Sequence, residues 1–539
     1  MSTDSNGSGA LAPRRALAAA TGKEKLDILL SAPDPEALVQ SLPEQDLYLA
    51  ILEIGPDDAA EVVALSSPSQ FRHAIDLSAW PGRDKGPDPA TILRWLRLAR
   101  EGAGHSDRAG NRYREKLAGL DAEMLSLTLR RILRVHDLNE EPEPAVHETG
   151  STYRTPEGRY LVEVLEGTDY AMAKGLLDDL YAEDVLGTTR LLESLRWEVP
   201  TELEEIARRW RDGRLRDLGF PDLDEAAAFY ARPAAAKSAP EPSPGPALLV
   251  PVSNLLERAL EELSGEERER AEEGILYASN AALVANAVRG DDFEELRDTL
   301  ADARATLALG LEILSRGDLL VAARVLAERP VRQIFQTGVG EAYRLQARAR
   351  RAAAAARLPQ AQSATLLDPP LSHVVDALSR TRPEFPSNAP AYGLRPGSGG
   401  PGALPAAPRT RRALGSRAEV ARAEDLLAEA EAVPAILGAL GLSPAALGPI
   451  AEAQGLTPTA VRASDAVRAL VLKELRGMSE LPLRESAEDR PAPPGFAEKL
   501  GELLDGAVLR SGHPRAAAAA QRIREVFQDG MRDRPARGS

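Results

Sequence analysis

Imidazoles and carboxylates are the groups in this chain best suited to chemistry at neutral pH, and some of them fall in a suggestive order. His105 is followed by the adjacent pair His136-Asp137, and then by Asp178, Asp179 and Asp184. Such side chains can hold a divalent cation that lowers the pKa of a bound water and makes it a hydrolytic nucleophile. On that reading His105, His136 and Asp137 are the candidate catalytic residues. Asp178, Asp179, Glu183 and Asp184 form a separate cluster of hard oxygen donors, the type that magnesium takes. Each group also has a plainer reading. A histidine closing an apolar run suits a helix C-terminus, where it meets the negative end of the dipole, and a run of acids suits a solvated helix face. His105 stands in GAGHSDRAG, which reads as loop, and the six histidines (73, 105, 136, 147, 373 and 513) include no i, i+4 pair of the helical zinc type.

Other chemistries are excluded more firmly. The chain has no cysteine, so disulfides, thiolate metal sites and cysteine nucleophiles are ruled out. Gly338-Val339-Gly340 lacks the preceding strand and third glycine of a dinucleotide loop. Neither a P-loop lysine motif nor a G-x-S-x-G elbow occurs. No cofactor is expected. A formal net charge of -16 argues against nucleic acid as a general partner, since that binding rests on neutralising phosphates. No secretion signal or membrane-length apolar run is seen, which leads us to expect a cytoplasmic protein with no membrane insertion.

The elements that must position these residues are helices. Aromatics make up 4% of the chain, and alanine and leucine supply most of its apolar surface, which favours helix over sheet. Prolines punctuate the first hundred residues at Asp34-Pro35-Glu36, Leu42-Pro43-Glu44, Gly55-Pro56-Asp57, Ser67-Pro68-Ser69 and Asp88-Pro89-Ala90. Proline fits the first helical turn, where its missing N–H costs nothing, so each group reads as cap, proline, first turn. Ser67 and Gln70 form a capping box. Between these starts Leu47, Ile51 and Ile54, then Ala59, Val62 and Val63, then Phe71, Ala74 and Ile75 keep helical spacing. Helices this short need neighbours to be stable, so they are expected to stack in a superhelix-like array. Trp95 and Trp210 lie in similar helices, hinting at a duplicated unit, and core packing is expected of both.

The expected fold class is all-α, with one small β-hairpin near 151–165, where the turn Thr155-Pro156-Glu157-Gly158 precedes the alternation of Tyr160, Val162 and Val164. The expected organisation is a disordered lead at 1–23, helices at 24–135, an acidic loop and the hairpin at 136–166, and helices at 167–231. A proline and alanine linker at 232–247, helices at 248–380, a glycine and proline linker at 381–412, and a helical region with a frayed tail at 413–539 complete it. Within 248–380, Gly317 and Asp318 read as the stop and cap between two plain helices.

Several motifs together resemble an uncharacterised bacterial all-helical family, over about 24–380. They are the proline-capped helices, TPEGRY, RLRDLGFPDLDEAAAFYA at 214–231, and LGLEILSRGD followed by RQIFQTGVGEAYRLQ. The first hundred residues are also similar to the cytosolic helical superhelix of MgtE-type magnesium transporters and of the flagellar protein FliG. That likeness implies layers that mediate assembly and, in the transporter version, acidic residues that respond to magnesium. The order His105, His136-Asp137 resembles that of HD-type metal phosphohydrolases, which implies a metal-dependent hydrolase as the alternative. The expectation drawn from the whole is a scaffold or adaptor without catalytic activity, binding protein partners or a second copy of itself.

Overall fold

Proline and its caps set the first unit's rhythm. The computed structural model describes residues 17, 20–82, 85–103, 107–147, 151–231, 253–362, 364–386, 411–484 and 492–532. The described residues group into two units, one of 1–228 with 276–300 and one of 229–275 with 301–398 and 407–539. In the first unit, from Gly22 on, the described helices run α1 Gly22–Leu30, α2 Pro35–Gln40, α3 Glu44–Ile54, α4 Ala60–Leu65, α5 Pro68–Ser78, α6 Pro89–Ala103, α7 Asp107–Ala118 and α8 Ala122–Leu129. Each of α1 to α6 packs on the next helix but one, which is the stacking expected of elements too short to stand alone.

Ser67 accepts a hydrogen bond from the Gln70 N–H at 3.2 Å, and Gln70 Oε1 accepts from the Ser67 N–H at 2.9 Å. Asp34 and Asp88 likewise accept from the N–H groups of Ala37 and Thr91, each at 3.0 Å. Two starts differ from expectation. Pro43 is itself the N-cap of α3, because Leu42 has no side-chain acceptor. Pro56 opens a turn at 56–59, and α4 begins only at Ala60. The apolar stripes are where the spacing put them, with Leu47, Ile51, Val62, Val63, Phe71 and Ile75 all in one buried cluster. Gly102 lets α6 approach α4, since a Cβ there would stand 2.0 Å from the Ala60 carbonyl oxygen.

After α8 the chain departs from the all-helical reading of 24–135. Residues Leu133–Asp137 form a strand, β1, which joins β2 Ser151–Arg154 and β3 Tyr160–Val164 in an antiparallel sheet of order β1-β3-β2. The predicted hairpin is therefore β2 and β3, and β1 gives it the third strand that an isolated hairpin needs in water. His136 accordingly lies in a strand and not at a helix C-terminus. Four helices follow, α9 Tyr170–Glu183, α10 Val185–Trp197, α11 Pro200–Asp217 and α12 Leu223–Phe229. Tyr170 donates to the Thr152 carbonyl at 3.1 Å and Tyr181 to Glu157 in the hairpin turn at 3.0 Å, so α9 is fastened to the sheet. Arg214 of α11 grips Asp76 of α5 at 2.7 and 2.8 Å and Asp121 before α8 at 3.0 and 2.8 Å.

The remaining described helices are α13 Ser253–Glu261, α14 Gly265–Ala285, α15 Phe293–Ser315, α16 Leu319–Glu328, α17 Val331–Ala355, α18 Leu371–Ser379, α19 Arg417–Ala439, α20 Pro444–Ala453, α21 Ala463–Arg476, α22 Phe496–Ser511 and α23 Ala516–Arg532. As expected, Asp318 caps α16, accepting from the Val321 N–H at 2.9 Å. The Gly338-Val339-Gly340 run lies inside α17. Gly338 and Gly310 are the point where α17 meets α15, since a Cβ on either would stand 2.2 or 1.9 Å from a carbonyl oxygen of the other helix. At the two ends of the segment read as a glycine and proline linker, Phe385–Pro386 (β4) pairs with Arg411–Arg412 (β5). No single described helix is long and apolar enough to cross a membrane. Only α19 with α20 passes that test, as a pair bent by 70°, and Leu426, Leu427, Ile436, Leu437 and Leu447 of that pair are fully buried in the second unit's core.

Two predictions follow from this packing. Ser67→Ala should cost about 0.5 to 2 kcal/mol by removing the acceptor of a first-turn N–H. Val63→Pro should cost about 3 kcal/mol or more, because it deletes the bond from the Val63 N–H to the Ala59 carbonyl, 2.9 Å, and clashes with that carbonyl. Chemical denaturation measures both, and hydrogen exchange should show the Val63→Pro damage spreading to α2 and α6. His73 of α5 supplies a further prediction. It is 3% exposed, neither ring nitrogen has a hydrogen-bond partner among the described residues, and burial pushes its pKa down from 6.5 to about 4. The unfolded chain then binds more protons than the fold between those values, so stability falls as pH drops from about 6.5 to about 4. Melting of His73→Leu over that range should show a flatter pH dependence than the parent.

Candidate functional site

Strand alternation sorts the side chains of β1 onto two faces. Leu133, Val135 and Asp137 stand opposite Val164, Val162 and Tyr160, facing the core, while Arg134 and His136 stand opposite Glu163 and Leu161 on the other face. The candidate catalytic neighbours His136 and Asp137 therefore point to opposite sides of the sheet.

Asp137 is buried and held by arginine. Arg159 donates to its Oδ2 from Nε at 3.0 Å and from Nη2 at 2.8 Å, and Arg196 Nη1 donates at 3.3 Å. The Arg159 guanidinium is the chief reason its carboxyl is held below the usual carboxylate range. Arg159 also reaches Glu193 of α10 at 2.5 Å, and Glu193 accepts from the Tyr160 hydroxyl. On the other face His136 Nε2 lies 3.3 Å from Glu163 Oε2, and Arg134 lies 3.6 Å from the same oxygen. The backbone N–H of His147 donates to Glu163 Oε1 at 3.0 Å and is the main cause of a lowered Glu163 pKa. His105 lies outside the described residues.

The acidic cluster does not converge either. Asp178 pairs with Lys174 at 2.5 Å, Asp179 with Arg100 of α6 at 3.2 Å, and Glu183 with Arg114 of α7 at 3.7 Å. Asp184 is the hinge residue between α9 and α10, its carbonyl accepting from the Thr188 N–H at 2.9 Å. Among the described residues no group of three or more histidines, aspartates and glutamates is arranged to hold a metal ion.

What the sheet does offer is an edge. The flanking bonds, Leu165 N–H to the Ile132 carbonyl and Leu138 N–H to the Arg159 carbonyl, each 2.8 Å, set the phase of the β1-β3 ladder. In that phase Arg134 and His136 bond to β3, while Leu133 and Val135 turn their N–H and C=O groups outward. Among the described residues those outward groups have no hydrogen-bond partner. Beside them lies a cleft of about 410 Å³ lined by Leu133, Val135, Leu195 and Trp197 with Arg130, Arg134 and Arg196, and by no carboxylate residue. Arg196 is engaged by Asp137, Glu140 and Glu193. The Arg130 guanidinium donates to the Glu198 carbonyl at 2.5 Å, and the Arg134 side chain is 60% exposed.

Sequence reasoning missed this edge because it read 133–137 as the end of a helix. It also misplaced Trp210. Trp95 is core, donating to Ser78 at 2.8 Å and packed on Tyr48 and Phe71, as expected. Trp210 is 57% exposed, because Leu203 and Ala207 take the buried face of α11. A visible signal was the second apolar pair, Ile206 and Trp210, which one buried stripe does not need.

The fold and cleft define a mostly helical protein with a small accessory sheet and an open, basic sheet edge. The chain belongs to the family of unknown function DUF6178, which it matches over residues 10–471. No curated protein and no solved structure matches it.

The arginine cage makes Asp137 a sensor of sheet integrity. A depressed carboxylate contributes stability above its unfolded pKa, and that contribution is lost as pH falls through the folded value. Asp137→Asn should therefore melt below the parent at neutral pH, and the gap should close on acidification below the ordinary value of 3.8. Thermal melting of both proteins across that range checks it.

Proposed function

We propose that this protein is a scaffold or adaptor that works by binding other proteins and not by catalysis, and that it does so in the cytoplasm. One observation carries the reading, a concentration of exposed apolar surface on α10 and α11. Of the thirteen large apolar residues exposed among the described residues, seven fall between Val185 and Leu223, so the exposure is concentrated in one stretch of the chain. Leu186 at 70%, Trp197 at 68% and Trp210 at 57% are the largest of these. Tryptophan is enriched at the energetic centres of protein interfaces, and grouped exposed apolar residues mark interaction sites. Ile206 and Trp210, one helical turn apart, supply a ready anchor pair.

Affinity capture from cells of the source organism, read by mass spectrometry, tests it. A reproducible partner should bind the parent and be lost with the double variant Ile206→Ser, Trp210→Ser. That variant should keep the parent's melting temperature, because exposed substitutions typically change stability by less than about 0.5 kcal/mol. Finding no partner, or one indifferent to these substitutions, would overturn the proposal.

A further inference from the structure

We propose that the open edge of β1 binds an extended acidic peptide from a partner protein, which adds as a fourth strand beside β1 in the cleft next to Trp197. This rests on the reading of the protein as one that binds proteins, and it names a second surface and the chemistry of its ligand. Three observations meet at the edge. Leu133 and Val135 present unbonded N–H and C=O groups outward, the main-chain template that strand addition requires. The adjoining cleft offers apolar contact at the half-buried Val135 and the exposed Trp197. Its lining holds no carboxylate residue and offers two arginines to a ligand, Arg130, bonded to a carbonyl, and the largely exposed Arg134, while Arg196 is already paired, on a chain whose net charge is -16.

The register gives the ligand a pattern. In an added strand, alternate residues would share the face of Leu133 and Val135, and the others would share the face of Arg134. The first set should be apolar, to meet Val135 and Trp197, and the second acidic, to meet Arg134 and Arg130. A second copy of this chain is the poorer occupant, because pairing β1 with its own copy brings Arg134 towards another Arg134. Charged residues of this kind are how edge strands avoid pairing with themselves.

The test is fluorescence anisotropy of the full chain with a labelled peptide of about eight residues alternating valine and glutamate. Saturable binding is expected. Val135→Pro should weaken it about tenfold or more, since it deletes an outward N–H that the β1-β3 ladder does not use. Because proline in a strand can also disturb it, Arg130→Gln with Arg134→Gln is the companion, with a similar loss expected and melting close to the parent's. Two N-methylated peptides, one for each set of alternate residues, test the backbone directly. One set must bond to β1, so one of the two peptides should lose affinity and the other keep it. No saturable binding by the parent, equal binding of a valine and lysine peptide, or full affinity in both N-methylated peptides would each overturn the proposal. So would a dimer of the full chain that Val135→Pro dissociates, which would make the occupant a second copy. The Ile206→Ser, Trp210→Ser variant should bind the peptide as the parent does, so failure of the α11 surface and failure of the β1 edge are read separately.

Discussion

The carboxylate of Asp137 is where strand, sheet and helix are joined in the first unit. A buried charge is stable only when paired, and this one is paired twice, with Arg159 at the start of β3 and with Arg196 at the end of α10. Arg159 and the neighbouring Tyr160 both reach Glu193, so α10 is held to the sheet through two of its own residues, Glu193 and Arg196. That attachment fixes where Leu195 and Trp197 stand relative to β1. The cleft beside the strand is thus a by-product of an ion-pair network on the far side of the same residues. Its position depends on Asp137 even though Asp137 does not line it.

Both units combine a buried apolar core with polar bridges between helices, Arg348 of α17 to Glu431 of α19 being one in the second, but their helices differ in length and composition. In the first, polar side chains bridge short helices, as Arg214 does between Asp76 and Asp121. Short helices bury narrow stripes, so directional bonds supplement what apolar area alone provides. In the second, the helices are longer and the core is aliphatic, with alanine prominent. Small residues let such helices come close, and the contact of Gly310 with Gly338 is the limiting case, backbone against backbone. That crossing accounts for Gly338 in a run that resembles a loop motif in the sequence, whereas Gly340 has open space beside it.

How much could be read beforehand followed the range of the interactions. The capping box of Ser67 and Gln70 and the turn Thr155-Pro156-Glu157-Gly158 were legible because each is decided within four residues. Strand β1 was not, because Leu133 and Val135 become a strand through partners at Val164 and Val162, about thirty residues on. The acids of α9 were legible as a helix face, but not as ligands of separate cations, since Arg100 and Arg114 come from α6 and α7. His136 and Asp137 illustrate the same limit. Adjacency in sequence suggested a shared site, whereas a strand sends neighbours to opposite faces. Of the candidate site, neither Arg130 nor Arg134 was singled out from the sequence, because the edge that gives them a use exists only once β1 pairs with β3.

Gln70 shows how a local rule can be narrowed by its surroundings. In an isolated helix, glutamate and glutamine serve equally well as the far member of a capping box. Here the side chain completes the box through Oε1, and its Nε2 donates to the carbonyls of Val39 at 2.9 Å and Leu42 at 2.7 Å, in a site only 4% exposed. A carboxylate would set a second oxygen against two carbonyl oxygens in that buried site. The position is therefore selective between two residues of nearly the same shape, and one amide decides both where α5 starts and how the loop from α2 to α3 lies across it.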